Sequence, residues 1–402
     1  TVEQGLTFLG LVAMMDPPHR EVPDAIKKCR RAGVRVMMIT GDHPLTALAV
    51  ARKVGLAPET IPTPPGHFVP VIEGAYIDTF SDDQLRQLLT PTAPGEPDPI
   101  FARMAPRHKM RIVSALKKMR EVVAVTGDGV NDAPALKTAD IGIAMGIAGT
   151  DVAKETASMI LLDDNFATIV HAIEEGRAVY TNIRKFVTYV LASNVPEIVP
   201  YLGFGLSSMP LALTIPQILA VDLGTDMVPA LALAAEPPEG GAMDDPPRPR
   251  TERLLSWDVI LRAYAFLGLI EAGIAMGGFF LYLYSQGWSW AAPLDWTSPL
   301  YKEATTVTFA GIVAAQVANV FACRSDRISA FRLGWFSNPL ILVGVAVELT
   351  ILLVMTYSPV GHLVLGTASL PAWIFGPLAL GAIGLLLADE LQKFVRGRMG
   401  AR

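Results

Sequence analysis

Two kinds of apolar pattern divide the chain near residue 180. Before that point, the apolar runs Val34–Ile39 and Val122–Val125 each end in a Thr-Gly-Asp turn followed by a helical stretch, and Ile141–Met145 reads as a third strand. Strand, turn and helix repeated in this order are typical of a doubly wound parallel sheet. The pattern predicts an α/β domain over residues 1–180, with ligands gathering at the carboxyl ends of the strands.

After residue 180 the chain becomes strongly apolar. Six segments approach the roughly 20 residues that a helix needs to cross a bilayer. They lie at about 186–208, 210–235, 259–286, 304–323, 338–357 and 371–389. Hydrophobic residues make up 51% of the sequence, as expected for an integral membrane protein. We therefore predict an all-α transmembrane domain over residues 181–402.

Lysine and arginine indicate how these spans are oriented. Arg184 and Lys185 precede the first span, arginines lie between the second and third and between the fourth and fifth, and basic residues end the chain. The alternate loops are nearly free of basic residues, with Lys302 the exception. Because basic residues concentrate on the cytoplasmic side, the N-terminal domain and the C-terminus are expected in the cytoplasm.

Charge and cysteine content exclude other classes of protein. The net charge of -5 offers no basic patch for nucleic acid. Cys29 and Cys323 are far apart in the sequence and suggest no disulfide framework. The first residue is threonine and no signal peptide follows, so we expect the chain to be a piece of a longer protein.

The strongest chemical signal is Thr126–Lys137, which reads TGDGVNDAPALK. Asp128, Asn131 and Asp132 place three oxygen-ligand side chains in five positions, where a magnesium ion would neutralise the carboxylates and bridge to a phosphate. Lys109 could add a positive charge for that phosphate. Thr40, Gly41 and Asp42 could add hydrogen bonds, although a plain strand-to-helix turn is an equally open interpretation of that second segment.

Polar residues inside the predicted spans form a second candidate site. Ionised carboxylates are costly in a bilayer and are therefore functional candidates. Asp222 and Asp226, four residues apart, are expected to share one helix face. Asn194 and Glu197, three residues apart in the first span, are also expected to share a face. Pro196 and Pro229 cannot donate a hydrogen bond to the carbonyl four residues earlier, so those carbonyls should be free. They would complete an oxygen cage for a hard cation. The proposed ligands are Asn194, Glu197, Asp222, Thr225, Asp226, Gln316, Asn319 and Glu348.

Not every polar residue in the spans carries the same weight. Gln316, Asn319 and Glu348 could equally serve as hydrogen-bond partners between helices. For Glu271, in the third span, a structural role or a position near the membrane interface is favoured.

These motifs resemble the C-terminal part of type II P-type cation-transporting ATPases, over essentially the whole chain. The matching pieces are Asp16–Pro18, Thr40–Ala47, Phe101–Arg103 with Lys109, Thr126–Lys137, Ala139–Gly146 and Leu161–Phe166. The resemblance implies an incomplete phosphorylation domain of the haloacid-dehalogenase-like fold, followed by the six-helix bundle. It also implies ATP as substrate and magnesium as cofactor, with the nucleotide-binding domain outside this chain.

The resemblance assigns roles to individual residues. It implies that Asp128 binds magnesium, that Asn131 and Asp132 support the metal and the phosphate, and that Lys109 contacts the phosphoryl group. Thr40, Gly41 and Asp42 are implied to line the same pocket. The family's Asp-Lys-Thr-Gly-Thr segment, whose aspartate is phosphorylated, does not occur in the sequence.

The spans look most like the sodium/potassium- and proton/potassium-pumping branch. Tyr189, Gln316 and Glu348 match that branch, whereas Asn319 departs from it because an aspartate is usual there. The first span also lacks the lysine typical of gastric proton pumps. The transported cation is left open between sodium, potassium and calcium. The expected partners are membrane lipid, that cation, the missing N-terminal half and a possible accessory subunit, in the plasma membrane.

The leading interpretation is therefore the C-terminal portion of an ATP-driven cation pump, as a fragment or one half of a split pump that is inactive alone. The alternative is a non-catalytic, truncated ATPase-like membrane protein with a binding or regulatory role. A phosphatase fused to a membrane anchor would need an Asp-x-Asp nucleophile that is not found at a strand end. A passive channel is disfavoured because channels prefer weak, open rings of ligands.

Overall fold

The computed structural model describes residues 7–10, 12, 17–58, 70–91, 97–207, 209–290 and 292–400. Asp16, one of the matching residues above, lies outside this part. The chain forms two compact units. The first comprises residues 1–175 and 240–248, and the second comprises residues 176–239 and 249–402. The segment 240–248, which follows the second predicted span, thus belongs with the N-terminal unit.

The first unit is built from short parallel strands and helices. Its strands are β1 (Val71–Glu73), β2 (Ile100–Ala102), β3 (Ala124–Gly127), β4 (Ile141–Met145) and β5 (Met159–Leu161). Its helices are α1 (Val22–Arg31), α2 (Pro44–Lys53), α3 (Gly74–Thr79), α4 (Asp82–Leu89), α5 (Pro106–Lys118), α6 (Ala133–Thr138) and α7 (Asp151–Thr156), with a 3₁₀ turn at Val130–Asp132. A long helix, α8 (Phe166–Leu206), continues into the second unit.

The strands form two parallel sheets, β1-β2 and β3-β4-β5. The predicted strand Val34–Ile39 is wrong as a full strand, because only Ile39 forms a bridge, to Phe101 of β2. The main-chain N–H of Phe101 donates to Met38 O at 2.9 Å, and that of Thr40 donates to Phe101 O at 2.8 Å. Because Ile39 pairs in parallel with Phe101, residues 34–37 lie opposite the chain that precedes β2 and have no strand to pair with there.

One apolar cluster covers both sheets of the first unit. Ile112, Val113 and Leu116 of α5 pack against Phe101 of β2 and against Val123, just before β3. Met37, Ile39 and Val125 are partly buried against the same cluster. Burial of this apolar surface holds the ends of the two sheets against one helix.

The second unit is helical. Its helices are α9 (Ile215–Ala220), α10 (Met227–Ala234), α11 (Trp257–Ile260), α12 (Gly268–Ser285), α13 (Pro299–Ala322), α14 (Ala330–Leu333), α15 (Pro339–Tyr357), α16 (Pro359–Val364) and α17 (Phe375–Gly400). Two π-helical segments, Val221–Thr225 and Leu261–Leu267, join α9 to α10 and α11 to α12, and a 3₁₀ turn at Ala372–Ile374 precedes α17. Of the membrane-span candidates, α13 is the most completely buried.

Five of the six predicted spans are confirmed by length and composition among the described residues. They are Ile215–Ala234, Trp257–Ser285, Pro299–Ala322, Pro339–Tyr357 and Ala372–Arg396. The first predicted span, 186–208, lies in the second half of α8 and is not among them. Asn194, Glu197 and two prolines interrupt its apolar run and lower its hydropathy. The sixth crossing therefore stays a prediction.

Small residues set the close packing of α12 on α13. A Cβ on Gly311 would lie 2.9 Å from Ala275 Cα. We expect Gly311→Ala to force these helices apart and to lower the free energy of unfolding by about 1–3 kcal/mol. Thermal unfolding in detergent measures the change. Gly277→Ala on α12 is the matched control, since nothing lies within 4 Å of its new Cβ; an equal loss in both variants would refute the close-packing argument.

Candidate functional site

The Thr126–Asp132 turn places its polar groups at the end of β3. Asp132 is buried, and Lys109 Nζ of α5 donates to its Oδ1 at 2.6 Å. Gly127 makes room for this arrangement, because a Cβ there would lie 2.4 Å from the Asp132 Cβ. Asp128 and Asn131 have exposed side chains. The turn therefore offers two free oxygen-bearing side chains beside an internally compensated ion pair.

The Thr40–Asp42 turn is held mainly by main-chain hydrogen bonds. The N–H of Met104 donates to Thr40 O at 3.0 Å, and the N–H of Arg103 donates to Asp42 O at 2.9 Å. The Thr40 hydroxyl accepts from the Asp42 N–H at 3.1 Å. Gly41 and Asp42 are exposed. The Thr40 side chain thus stabilises its own turn, while the side chain of Asp42 is free to meet a ligand.

Asp164 holds a loop that supports Asp128, a role that sequence reasoning missed. Its carboxylate accepts main-chain hydrogen bonds from Gly146, Ile147 and Ala148 at 2.6, 3.0 and 2.7 Å. Farther along this loop, the N–H of Thr150 donates to Asp128 O at 2.8 Å. The N–H groups of Ile147 and Ala148, then Gly146, hold the pKa of Asp164 below its ordinary value of 3.8.

A buried hydrogen-bonded group, the Asp226 cluster, joins three helical segments of the second unit. It consists of Tyr189 and Ser193 of α8, Thr225 and Asp226 between α9 and α10, and Gln316 of α13. The hydroxyls of Tyr189 and Ser193 donate to Asp226 Oδ1 at 3.3 and 3.2 Å. Gln316 Nε2 donates to Ser193 Oγ at 3.5 Å, and Thr225 Oγ1 donates to Gln316 Oε1 at 3.1 Å.

The other acidic residues near this cluster differ in exposure. Glu197 is buried, and its Oε1 has no hydrogen-bond partner within the described ranges. Asp222 is exposed while Asp226 is buried, and both carboxylates lie close enough to Glu197 to interact with it. That Asp222 and Asp226 share one helix face stays a prediction. The segment Val221–Thr225 is π-helical, and residues four apart lie on nearly the same face of a π-helix, as they do on an α-helix. Asn194 is half-buried.

A second buried polar group involves α12, α13 and α15. Glu271, Asn319 and Glu348 are each 0% exposed. Among the described residues, neither carboxylate has a partner at normal hydrogen-bond geometry on either oxygen, and the Asn319 amide nitrogen also lacks one, although Asn319 lies close enough to Glu271 to interact with it. Gly344 lets α15 approach α10 closely, since a Cβ on Gly344 would lie 3.0 Å from Pro229 Cα. The near-interface position favoured for Glu271 is wrong, because the residue is fully buried near the middle of Trp257–Ser285.

Other buried charges in the second unit are paired. Arg324 donates to Glu236 Oε1 at 2.9 Å through Nε and at 2.6 Å through Nη2. Arg262 donates to Asp389 at 2.8 Å, and Lys393 lies 2.7 Å from the same carboxylate. In the sequence, Arg324 is only one of the arginines between the fourth and fifth spans that indicate orientation. Its pairing with Glu236 could not be predicted, because the two residues lie far apart in the sequence.

The described residues contain no group of three or more His, Cys, Asp or Glu side chains arranged to hold a metal ion. Magnesium is commonly held by only one or two carboxylates together with water and substrate phosphate. The exposed Asp128 fits that mode, with Asn131 beside it. In the second unit, main-chain carbonyls, amides and hydroxyls would have to complete any cation site.

Both units match known sequence families. Residues 210–395 match the family described as cation transporting ATPase, C-terminus, and residues 1–140 and 110–173 match two families of haloacid dehalogenase-like hydrolase. The sodium/potassium-transporting ATPase subunit alpha of Tetronarce californica is 39% identical over 438 aligned residues, covering 98% of this chain and 42% of the relative.

Two further relatives give the same result. Sodium/potassium-transporting ATPase subunit alpha-3 of Homo sapiens is 38% identical over 98% of this chain and 42% of its own length. Sodium/potassium-transporting ATPase subunit alpha of Drosophila melanogaster is 39% identical, over 97% of this chain and 41% of its own length. The chain therefore spans about two fifths of the length of the curated relatives it matches.

The Asp164 contacts lead to a pH-dependent prediction. Because the folded pKa is lowered, the stabilisation is complete above the unfolded value and is lost as pH falls through the folded pKa. Asp164→Asn should remove it at neutral pH while tolerating the positive φ of 49° at this position. Hydrogen exchange should then become faster at the main-chain amides of residues 146–148.

Asp83→Asn, an exposed change on α4, is the control for that measurement. Unchanged exchange at residues 146–148 in Asp164→Asn would show that the carboxylate does not hold the loop.

Proposed function

Since the chain belongs with the C-terminal part of the P-type cation-transporting ATPases, we propose that it supplies the ion path and part of the phosphorylation site of an ATP-driven cation pump. The Asp226 cluster carries this proposal. It places a carboxylate, hydroxyls and an amide from three helical segments inside an apolar bundle. Such a set of oxygen ligands suits a hard cation such as sodium, potassium or calcium.

The cost of burying charge supports a transport role for these residues. Polar and ionisable groups inside a membrane are expensive, and they mark ion pathways where they persist. Glu197 Oε1 and both oxygens of Glu348 lack hydrogen-bond partners in the described part of the chain. Unpaired acceptors of this kind are available to replace the water that a cation loses on entering the bundle. Asn194 and Asp222 would be reached from the more exposed side.

In the first unit, the exposed Asp128 and Asn131 are the proposed magnesium and phosphate ligands. Lys109 keeps the buried Asp132 compensated by the 2.6 Å contact, and its ammonium group lies beside the turn where a phosphoryl group would bind. Thr40 orders its own turn so that Gly41 and Asp42 face the ligand. When bound, magnesium would neutralise charge on the phosphoryl oxygens. ATP would be the phosphoryl donor.

The two sheets of the first unit leave room for an additional strand. Among the described residues, β3 is paired only with β4, and Val34–Ile39 is bridged only to β2. The apolar cluster under α5 contains residues from both of these edges. We place the strand that carries the phosphorylated aspartate between them. That strand would come from sequence outside these 402 residues, in the N-terminal half, because no Asp-Lys-Thr-Gly run occurs here.

The helix α8 is the proposed link between phosphorylation and the ion path. It begins at Phe166, beside the Asp163 and Asp164 turn, and continues to Leu206. Tyr189, Ser193 and Glu197 lie along it. A movement that starts at the phosphorylation site would therefore act directly on ligands of the Asp226 cluster.

The cation is proposed from the relatives and from these ligands. Relatives named as sodium/potassium-transporting ATPases favour sodium and potassium. Calcium is the alternative, because carboxylate, hydroxyl and amide oxygens also suit calcium. We place the protein in the plasma membrane with its first unit and C-terminus in the cytoplasm. An accessory subunit would be a further partner. A non-catalytic subunit is distinguished by the absence of an ATP-dependent phosphoenzyme from the intact protein.

Asp226→Asn should weaken cation-dependent phosphorylation by ATP in the intact protein that carries this sequence. A lost charged ligand is worth about 1.5–3 kcal/mol, so the cation concentration at half-maximal phosphorylation should rise at least tenfold. Phosphorylation from inorganic phosphate should be largely preserved. Asp295→Asn, in an exposed loop, is the control. An unchanged cation dependence would argue against the Asp226 cluster as a cation site.

Asp128→Asn should raise the magnesium concentration needed for phosphoenzyme formation by about tenfold or more, because one anionic ligand is removed. Titration of phosphoenzyme against magnesium measures the change. Asp24→Asn, an exposed change in α1, should behave as the unaltered protein does. Normal magnesium dependence in Asp128→Asn would show that this carboxylate does not hold the metal.

A further inference from the structure

His108 is a buried titratable residue in the first turn of α5, directly before Lys109. It is only 5% exposed, and the proposed phosphorylation site does not include it. We propose that His108 is a positioning residue whose neutral imidazole holds the first turn of α5, so that Lys109 stays beside the phosphoryl group, and whose protonation releases that turn. This proposal rests on the role proposed for Lys109 in the pump.

The imidazole supplies a cap that the start of α5 otherwise lacks. Ala105 is the N-cap residue of α5, and its side chain forms no capping hydrogen bond. Instead, His108, three residues later, accepts the main-chain N–H of Ala105 at Nδ1, over 3.1 Å. This contact is one half of a capping box, in which glutamate or glutamine usually provides the acceptor. The start of α5 therefore depends on an acceptor that a proton can remove.

The partners of the two ring nitrogens fix the neutral form of His108. Nε2 lies 3.1 Å from Asp78 Oδ1 of α3. Because an ionised carboxylate only accepts, Nε2 carries the ring proton, which leaves Nδ1 as the acceptor for Ala105. A second proton on Nδ1 would set two donors against each other, the Nδ1–H and the Ala105 N–H. Protonation therefore breaks the capping hydrogen bond, while the contact with Asp78 remains.

The charged groups around the ring identify the imidazole as the group that titrates. Arg107 Nη2 donates to Asp78 Oδ2 at 2.7 Å, and Arg107 Nε lies 3.3 Å from His108 Nε2. The hydrogen bonds from Arg107, and then from His108, hold the pKa of Asp78 below its ordinary value of 3.8. Asp78 thus stays ionised over the range, about pH 5 to 8, in which imidazoles ordinarily change charge.

The two nearest charges act on a protonated imidazole in opposite directions, since Asp78 favours its positive charge and Arg107 opposes it. The other charged side chains of the neighbouring elements are paired, Glu73 with Arg103 at 3.9 Å, Lys109 with Asp132 at 2.6 Å and Arg111 with Asp82 at 3.5 Å. The capping contact is therefore complete at high pH and is lost as pH falls and the ring gains its second proton.

The first turn of α5 connects His108 to the phosphorylation site. The N–H groups of His108 and Lys109 both donate to Ala105 O, at 2.9 and 3.3 Å. From this turn, Lys109 Nζ reaches Asp132 Oδ1 at 2.6 Å. Gly74 lets the imidazole lie against the start of α3, because a Cβ there would be 2.5 Å from His108 Nδ1. Loss of the Ala105 contact thus loosens the turn that carries Lys109.

The test is the rate of phosphoenzyme formation from ATP by the intact protein, measured from about pH 5.5 to pH 8. His108→Gln is the informative variant, because glutamine keeps an acceptor for the Ala105 N–H and does not titrate. At pH 8 the two proteins should have the same rate. At the acid end, the unaltered protein should be about fivefold slower than His108→Gln, the equivalent of one capping interaction.

His19→Gln, the same change at an exposed histidine before α1, should keep the pH profile of the unaltered protein. If the rates of His108→Gln and the unaltered protein keep a constant ratio at every pH, the proposal is overturned.

Hydrogen exchange tests the contact without depending on activity. After correction for intrinsic exchange rates, protection of the main-chain amides of residues 105 and 107–109 should fall with pH in the unaltered protein and stay constant in His108→Gln. His108→Ala, which has no acceptor, should show low protection at every pH, with thermal unfolding as the check that it is folded. Protection that does not change with pH in the unaltered protein would contradict the proposed loss of the cap.

Lys109→Met distinguishes this proposal from the function on which it rests. If Lys109→Met slows phosphoenzyme formation while His108→Gln leaves the pH profile unaltered, only the positioning role of His108 is refuted. If Lys109→Met forms phosphoenzyme at the unaltered rate, the role of Lys109 is refuted, and the positioning role fails with it.

Discussion

The cost of placing charge inside an apolar helix bundle is the constraint on which the second unit depends. Some buried charges are paired with an opposite charge, as in the contacts of Arg324 with Glu236 and of Arg262 with Asp389. Asp226 is compensated only in part, by two hydroxyl donors. In the described part of the chain, the carboxylates of Glu271 and Glu348 form no hydrogen bond of normal geometry. Since each unmet charge opposes folding, the buried carboxylates with the fewest partners are the strongest candidates for a ligand role.

The first unit obeys a related constraint on main-chain groups. Strand edges expose N–H and C=O groups that need partners. The edge of β3 and the extended segment Val34–Ile39 are the places where partners are fewest among the described residues. Both edges end at Thr-Gly-Asp turns, so an added strand would deliver its own carboxyl end to Asp42 and Asp128. Completing the sheet and completing the phosphorylation site would therefore be one event.

Local chemistry explains which features could be predicted from the sequence. The Asp128–Asp132 turn and the five confirmed spans rest on short-range patterns, in which the residues that act together are neighbours in the chain. Val34–Ile39 has the composition of a strand but fails as one, because strand pairing depends on a partner of sufficient length. The π-helical segment Val221–Thr225 could not be predicted, because the α-helical period does not mark it. The complete burial of Glu271 could not be predicted, because it depends on the packing of several helices.

In the segment 186–208, the polar residues proposed to act in cation binding also lower the hydropathy by which a membrane span is recognised. Ser193, Asn194 and Glu197 make it too polar to rank with the other five spans, yet Ser193 bonds Asp226 and Glu197 is buried beside it. A helix that serves only as a membrane anchor gains stability from every apolar substitution at such positions. A helix that carries an ion must keep them polar and accept a weaker membrane signal. The polar interruption of α8 is thus what the proposed role of this helix in cation binding requires.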